Sequence, residues 1–165
     1  MDRLDEWMDG WMDDGERQMR EMTRAEAMRR LASVRLGRVV FTSRALPAIR
    51  PVNHLVEDGH VIIRSHEGST IVTAASAERG TVVAYEADEL DPTSHTGWSV
   101  VITGLARLVD DPQEAARYHE ALRPHMPGEM GYVIRIYPEL VTGSEFVAAA
   151  TANDQADDSP ASVPR

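Results

Sequence analysis

The spacing of hydrophobic positions changes along the chain, and each change predicts an element. Between residues 4 and 12, apolar side chains recur at helical spacing among acidic ones. This pattern is typical of an amphipathic helix, and it predicts an acidic helical extension over residues 1–22. Three interpretations stay open for the extension: docking on its own domain or on a partner subunit, a lid over a ligand site, or disorder.

A capping box opens the next helix. In Thr23-Arg24-Ala25-Glu26 the threonine hydroxyl can accept from the Glu26 amide while the glutamate reaches back. The helix should end before Gly37, where the hydrophobic period changes from 3.6 to 2. Beyond this point the pattern predicts short helices at 69–77 and 112–122, and six strands at 38–42, 48–56, 60–65, 81–86, 98–109 and 132–137. Residues 141–147 are interpreted as an extension of the last strand or as a turn after it.

The order of these elements favours a mainly β fold. Strands joined by hairpins, with few crossover helices, indicate an antiparallel sheet, and six of them suggest a small closed barrel with flanking helices. A Rossmann fold is disfavoured because no Gly-x-Gly-x-x-Gly follows a strand. The predicted domains are the extension 1–22, the barrel 23–147 and a disordered, Ala/Asp/Ser/Pro-rich tail 148–165.

Composition narrows the possible chemistry of this 165-residue chain. It has no cysteine, and all 17 basic residues are arginine, which excludes disulfides, thiolate metal sites and lysine Schiff bases. A net charge of −10 argues against nucleic acid and an anionic membrane surface as partners. The histidines lack metal-type spacing, so no metal site is expected. The absence of an apolar span or leader predicts a soluble, cytoplasmic protein.

One stretch could bind a phosphate group. Arg64 and Ser65 end a predicted strand, and Ser69 and Thr70 open a helix after Gly68. Helix N-termini offer amide donors, and arginine and hydroxyl side chains can add to them. The alternative is that Ser69 only caps the helix and that Arg64 is a solvated strand residue.

Two further stretches could contact a planar ring. Pro51 interrupts the strand around Arg50, Val52, Asn53 and Leu55, and a proline inside a strand marks an edge or a bulge. Such an edge leaves backbone groups available to a heterocycle; the alternative is an ordinary amphipathic strand with Arg50 on its outer side. Trp98, followed by Ser99, begins a later strand and could be either a packing anchor or a stacking wall for a ring.

Taken in order, these stretches resemble one protein family. The run from about Met22 to Val147, three-quarters of the chain, is similar to the pyridoxamine 5'-phosphate oxidase-like, FMN-binding split-barrel family. The segments that carry the resemblance are Ala32 to Thr42, Pro51-Val52-Asn53-His54, Arg64-Ser65 with Gly68-Ser69-Thr70, and Gly97 to Gly104.

The resemblance implies a homodimer with FMN bound in two clefts between the subunits, and a small-molecule substrate. It implies that the strand residues lie along the flavin, that the hydroxyl-rich turn holds the phosphate, and that the later strand contacts the flavin again. In this sequence the implied residues are Arg50, Pro51, Val52, Asn53 and Leu55 along the flavin, Arg64, Ser65, Ser69 and Thr70 at the phosphate, and Trp98 and Ser99.

Departures from the family pattern keep several functions open. Leu55 replaces a substrate-binding lysine and Thr70 lacks the usual neighbouring cation, so the chain is not expected to be a true pyridoxine-phosphate oxidase. The first expectation is a flavin-dependent oxidoreductase that transfers hydride at flavin N5, with a proton from solvent or from His54. The alternatives are a non-catalytic carrier or sensor of flavin or F420, and a heme-binding protein that uses His54 or His66.

Overall fold

A computed structural model describes residues 17–66, 68–122 and 131–148. Within these ranges the helices are α1 (Arg24–Ser33), α2 (Thr70–Ala75) and α3 (Pro112–Ala121). The strands are β1 (Arg17–Glu21), β2 (Leu36–Ser43), β3 (Leu46–Glu57), β4 (His60–Ser65), β5 (Thr81–Leu90), β6 (Gly97–Leu108) and β7 (Tyr132–Ala148).

Six of the strands close into an antiparallel ring. The order β7-β4-β3-β2-β5-β6 returns to its start because β6 also pairs with β7. The 17-residue length of β7 makes this closure possible, since its first part pairs with β4 while a longer stretch pairs with β6. The predicted six-stranded antiparallel barrel is therefore confirmed.

The barrel encloses one main apolar core. Alternate residues of the strands point inward, and the buried set includes Val39, Tyr85 and Ile102. Helix α1 adds Ala27 and Leu31 to this core, and α2 adds its own apolar side. The predicted capping box is present at α1, where the Glu26 amide donates to Thr23 Oγ1 at 3.3 Å and the Thr23 amide donates to the Glu26 carboxylate at 2.8 Å.

Helix α3 covers a second, smaller cluster on the outside of the barrel. Tyr118 and Leu122 pack there against Ile62 of β4 and Val133 of β7. Polar contacts fix the helix in place, because Glu57 on β3 accepts from Arg117 at 2.7 and 2.8 Å and from the Tyr118 hydroxyl at 2.5 Å. Among the described residues, no helix has both the length and the apolar character needed to cross a membrane.

A polar contact lies inside the main core. His54 is 1% exposed, and its Nδ1 lies 2.7 Å from the Tyr85 hydroxyl. Gly37 makes room for that hydroxyl, since a Cβ at this position would lie 2.6 Å from the Glu86 carbonyl oxygen and closer still to the Tyr85 oxygen. Glycine is therefore required at residue 37 for packing.

The expected N-terminal helical extension is wrong at its C-terminal end. Residues 17–21 form β1, which pairs with residues 144–148 of β7, and this ladder satisfies the backbone of both segments. Of the two interpretations of residues 141–147, the structure shows the extension of the last strand, which also includes Ala148, a residue predicted to belong to the tail. The predictions of an acidic helix over residues 1–16 and of a disordered tail over residues 149–165 concern parts of the chain outside the described residues.

Replacing Gly37 tests the packing of Tyr85. We expect Gly37→Ala to lower the free energy of unfolding by about 1–3 kcal/mol, because the added methyl group must displace the Tyr85 hydroxyl or the β5 backbone. Urea unfolding measures the effect. Gly131→Ala is the control, since a Cβ there meets no atom within 4 Å. Equal unfolding midpoints for both variants would contradict this account of the core.

Burial of His54 predicts a pH dependence of stability. Burial lowers the pKa of His54 below its usual range, and Arg35 lowers it further. The unfolded chain thus takes up the proton at a higher pH than the folded chain. Stability is full above about pH 6.5 and falls below it, by up to about 1.4 kcal/mol per pH unit.

Urea unfolding between about pH 7.5 and pH 5.5 measures this loss. His54→Gln should flatten the dependence, whereas His66→Gln, at an exposed position, should retain it. The same pH slope in the parent chain and in His54→Gln would show that the buried imidazole is not responsible.

Candidate functional site

Strand β3 changes its neighbour in the middle of its length. Residues 46–53 pair with β2, whereas residues 54–57 pair with β4. The ladder between β3 and β4 begins at the pair His54–Ile63, so a fork opens beyond this pair between residues 50–53 of β3 and Ser65 of β4. The predicted strand edge at Pro51 is confirmed, because residues 46–52 have β2 as their ladder partner and no second strand among the described residues.

Hydroxyl groups gather on the β4 side of this fork. The Ser65 and Ser69 Oγ atoms lie 2.9 Å apart, and the Ser43 hydroxyl donates to Thr70 Oγ1 at 3.4 Å. The turn between them passes through Gly68 at φ +75°. Ser69 also caps α2 by accepting from the Val72 amide at 3.4 Å. The structure therefore brings Ser65, Ser69 and Thr70 together, as the sequence predicted.

Arg64 does not join this hydroxyl cluster. Adjacent residues of a strand point to opposite faces, so Arg64 leaves β4 on the side away from Ser65. Its Nη1 donates to the carbonyl oxygens of His119 at 3.3 Å and Leu122 at 2.8 Å, at the C-terminal end of α3. Partial burial there lowers the pKa of Arg64. These two bonds place the Arg64 guanidinium at the end of α3, and its contact with a phosphate stays a prediction.

The β3 side of the fork offers mixed surfaces. Arg50 is exposed, and its guanidinium donates to the Ile49 carbonyl oxygen at 2.8 Å. The Asn53 amide group donates to the Arg35 carbonyl oxygen at 3.2 Å. Val52 instead packs against the main core, and Leu55 packs against the cluster under α3. The structure thus leaves Arg50 and Pro51 exposed among the predicted flavin-lining residues and turns Val52 and Leu55 into packing contacts.

Trp98 and Ser99 differ in accessibility. Trp98 is 3% exposed, lies in the main core and donates through Nε1 to Glu89 at 3.3 Å. Of the two interpretations of this tryptophan, the structure favours the packing anchor. Ser99 points outward and pairs with Asp88 on β5 and Ser144 on β7. Contact of either residue with a flavin stays a prediction.

The outward sides of β2, β3, β5, β6 and β7 form a continuous surface, called here the outer sheet face. Directly paired residues of antiparallel strands share a face, and this rule places Pro51, Arg38, Glu86 and Val101 in one row. Large apolar side chains on it are well exposed: Leu36, Ile49, Val82, Leu90, Val101 and Leu140. Asn53 and Ser99 lie on the same face, in the row next to Pro51 and Val101.

A charged cluster interrupts the outer sheet face. Arg38 Nη1 donates to Glu86 and to Asp88, at 2.8 Å each. The Arg38 guanidinium holds the pKa of Asp88 below its usual range, whereas burial raises the pKa of Glu86. The sequence alone did not indicate this cluster, because Arg38 and Glu86 lie 48 residues apart in the chain and meet only through the pairing of β2 with β5.

The expectations for His54 as a proton donor or heme ligand are wrong. Its ring is buried, with Nε2 lying 2.9 Å from the Leu31 carbonyl oxygen and Nδ1 facing Tyr85. Both nitrogens are therefore occupied by the protein, which leaves neither for a ligand. His66 is exposed.

A concavity of about 550 Å³ lies elsewhere, at the end of the β5–β6 hairpin. Its walls carry charged groups that already have partners, as Arg30 binds Glu145 and Glu89 accepts from Trp98. Ser65, Ser69 and Thr70 do not line it, whereas Trp98 does. The hydroxyl side of the fork is therefore separate from this concavity.

Comparisons with known proteins agree with this fold. Residues 23–150 match the family model described as pyridoxamine 5'-phosphate oxidase. The uncharacterized protein Rv0080 of Mycobacterium tuberculosis is 57% identical over 134 residues, which cover 80% of this chain and 88% of that protein.

Solved structures are similar over most of the chain. The FAD binding protein from Mycobacterium smegmatis is 30% identical, with a TM-score of 0.62, and the match covers 77% of this chain and 98% of that one. The FAD and heme binding protein from the same organism is 15% identical, with a TM-score of 0.57 and coverage of 86% and 93%, and shows a shared fold. Together with the match of the family model over most of the chain, these similarities show that the chain belongs to the pyridoxamine 5'-phosphate oxidase family.

Proposed function

We propose that two copies of the chain bind flavin mononucleotide at the fork and transfer hydride between the flavin and a small substrate. The observation that carries the proposal is the change of partner within β3, which sets residues 50–53 opposite the hydroxyl cluster of Ser65 and Ser69. One wall then suits a planar ring and the other suits a phosphate. The name of the Mycobacterium smegmatis relative, an FAD binding protein, supports a flavin.

The donors at the fork fit a phosphomonoester. Ser65, Ser69 and Thr70 supply hydroxyl groups that can donate to phosphate oxygens, and Ser43 lies within reach of the same group. Arg50 adds an exposed guanidinium on the opposite wall. Hydrogen bonds to a charged phosphate are stronger than those between neutral groups, so a few hydroxyls contribute substantially to affinity.

The backbone of β3 would position the ring. A bound flavin supplies the redox chemistry, because it accepts and donates hydride at N5. The open backbone edge of residues 50–52 offers N–H and C=O groups to the heterocycle, apart from Pro51, which has no N–H. Since both nitrogens of His54 are occupied, the proposal takes any proton from solvent or substrate.

The outer sheet face is proposed as the contact between the two copies. Its apolar side chains, with Val101 39% exposed near the centre, would leave water on association. Pro51, Asn53 and Ser99 lie on this face, so a second copy would complete the cleft beside the fork.

A second candidate is a flavin or F420 carrier or sensor without turnover. The donation of Arg64 to carbonyl groups at the end of α3 favours it, because phosphate binding then depends mainly on hydroxyl groups. Anaerobic mixing with NAD(P)H or reduced F420 separates the two candidates. In an oxidoreductase these donors reduce the bound flavin, whereas in a carrier the flavin stays oxidised. Heme is the remaining alternative, tested by adding heme and measuring a Soret band.

Removing hydroxyl groups tests the phosphate site. FMN, FAD and F420 are titrated in parallel, and FMN is expected to bind most tightly. We expect Ser65→Ala and Ser69→Ala each to raise the Kd for FMN about tenfold, because each loses a donor to a charged phosphate. Ser76→Ala, at the other end of α2, is the control, since its hydroxyl donates to the Thr73 carbonyl oxygen. Unchanged affinity in both test variants would place the phosphate elsewhere.

A charge on the outer sheet face tests the association. Light scattering should give twice the 18.3 kDa chain mass for the parent protein. We expect the Val101→Asp variant to be a monomer and to bind FMN more weakly, because burying a carboxylate in the contact opposes association. Ala116→Asp, on the exposed side of α3, should remain a dimer and bind FMN normally. A dimeric Val101→Asp variant would exclude this face as the contact.

A further inference from the structure

We propose that the buried pair His54–Tyr85 is a positioning device that fixes β3 where it changes partners and so sets residues 50–53 in the fork. The cofactor part of this inference rests on the proposed function; the anchoring part does not. His54 is a buried titratable group that the proposed flavin chemistry leaves unused.

The hydrogen bonds of His54 join three parts of the barrel. Its backbone N–H donates to the Arg35 carbonyl oxygen at 2.9 Å, which ties β3 to the segment entering β2. Its Nε2 donates to the Leu31 carbonyl oxygen at 2.9 Å, near the end of α1. Because a carbonyl oxygen only accepts, Nδ1 is the nitrogen without hydrogen, and it accepts from the Tyr85 hydroxyl of β5 at 2.7 Å.

The location of these bonds matches the point where β3 needs support. Upstream of His54 the strand pairs with β2, and downstream it pairs with β4, so the residue stands at the origin of the fork. Asn53 adds a second bond to the Arg35 carbonyl oxygen at 3.2 Å. Hydrogen bonds at two consecutive residues, Asn53 and His54, therefore fix the direction in which residues 50–53 extend.

The neighbouring backbone is shaped around the same pair. Gly37 pairs with Val52, and a Cβ on Gly37 would collide with the Tyr85 hydroxyl. The hydroxyl thus lies beside the stretch that it is proposed to hold. The two rings meet edge to face, with centroids 5.2 Å apart.

Packing alone does not require a polar pair here. A buried hydrogen bond contributes only modestly to stability compared with apolar groups of the same shape, but it fixes direction. A bond that specifies direction at the origin of a binding cleft suits a positioning role. The pair holds β3 without touching the flavin.

The test compares two tyrosine hydroxyls with hydrogen exchange and FMN binding. Tyr85→Phe removes the bond to His54 and keeps the ring. Tyr118→Phe is the matched control, because it removes the hydroxyl bound to Glu57 under α3, away from the fork. Exchange is measured on the full chain without cofactor, and FMN is then titrated while its visible spectrum is recorded.

We expect Tyr85→Phe to speed exchange severalfold in residues 46–53, to raise the Kd for FMN about tenfold and to shift the spectrum of the bound flavin. Tyr118→Phe should speed exchange only around α3 and leave FMN binding unchanged. Parent-like exchange of residues 46–53 in Tyr85→Phe would overturn the anchoring role.

The remaining outcomes separate the two proposals. Faster exchange in Tyr85→Phe with parent-like affinity and spectrum would overturn the link to the cofactor. A parent protein that binds no FMN would overturn the proposed function, while the exchange comparison would still decide whether His54 anchors β3.

Discussion

The whole arrangement depends on one constraint on β3: a single strand must pair with β2 along its first part and with β4 along its last. Six antiparallel strands close a barrel only if each finds two neighbours, and β3 meets this requirement by exchanging one for the other at Asn53 and His54. The exchange closes the ring and opens the fork at the same time. The candidate site is thus a by-product of closure, built from a backbone edge that the barrel does not use.

Buried polar contacts keep this exchange in register. His54 replaces the ladder bonds that β3 lacks at the crossing with bonds to α1, to the segment before β2 and to β5. No buried side-chain polar atom of the described residues is left without a hydrogen-bond partner. The desolvation of these groups in the core is therefore compensated by hydrogen bonds. On the outside of the barrel, Glu57 and Arg64 hold α3 over the second cluster and away from the fork.

Local patterns predicted the elements well, because local chemistry decides them. The capping box at Thr23, the helix cap at Ser69 and the edge at Pro51 all depend on neighbours in sequence. The sequence did not predict β1, because its five residues are mostly polar and give no indication that they pair with residues 144–148. Long-range contacts were missed for the same reason, as the partner of His54 lies 31 residues away on β5. The family resemblance implies a phosphate ligand at Arg64, but it does not take into account the strand alternation that points Arg64 away from Ser65.

Hydrogen exchange of the parent protein with and without FMN tests the central claim most directly. The fork account predicts that FMN slows exchange in residues 50–53 and in the segment from Ser65 to Thr70, while α3 is unaffected. Protection confined to the concavity lined by Arg30, Glu89 and Glu145, or no protection at all, would contradict it.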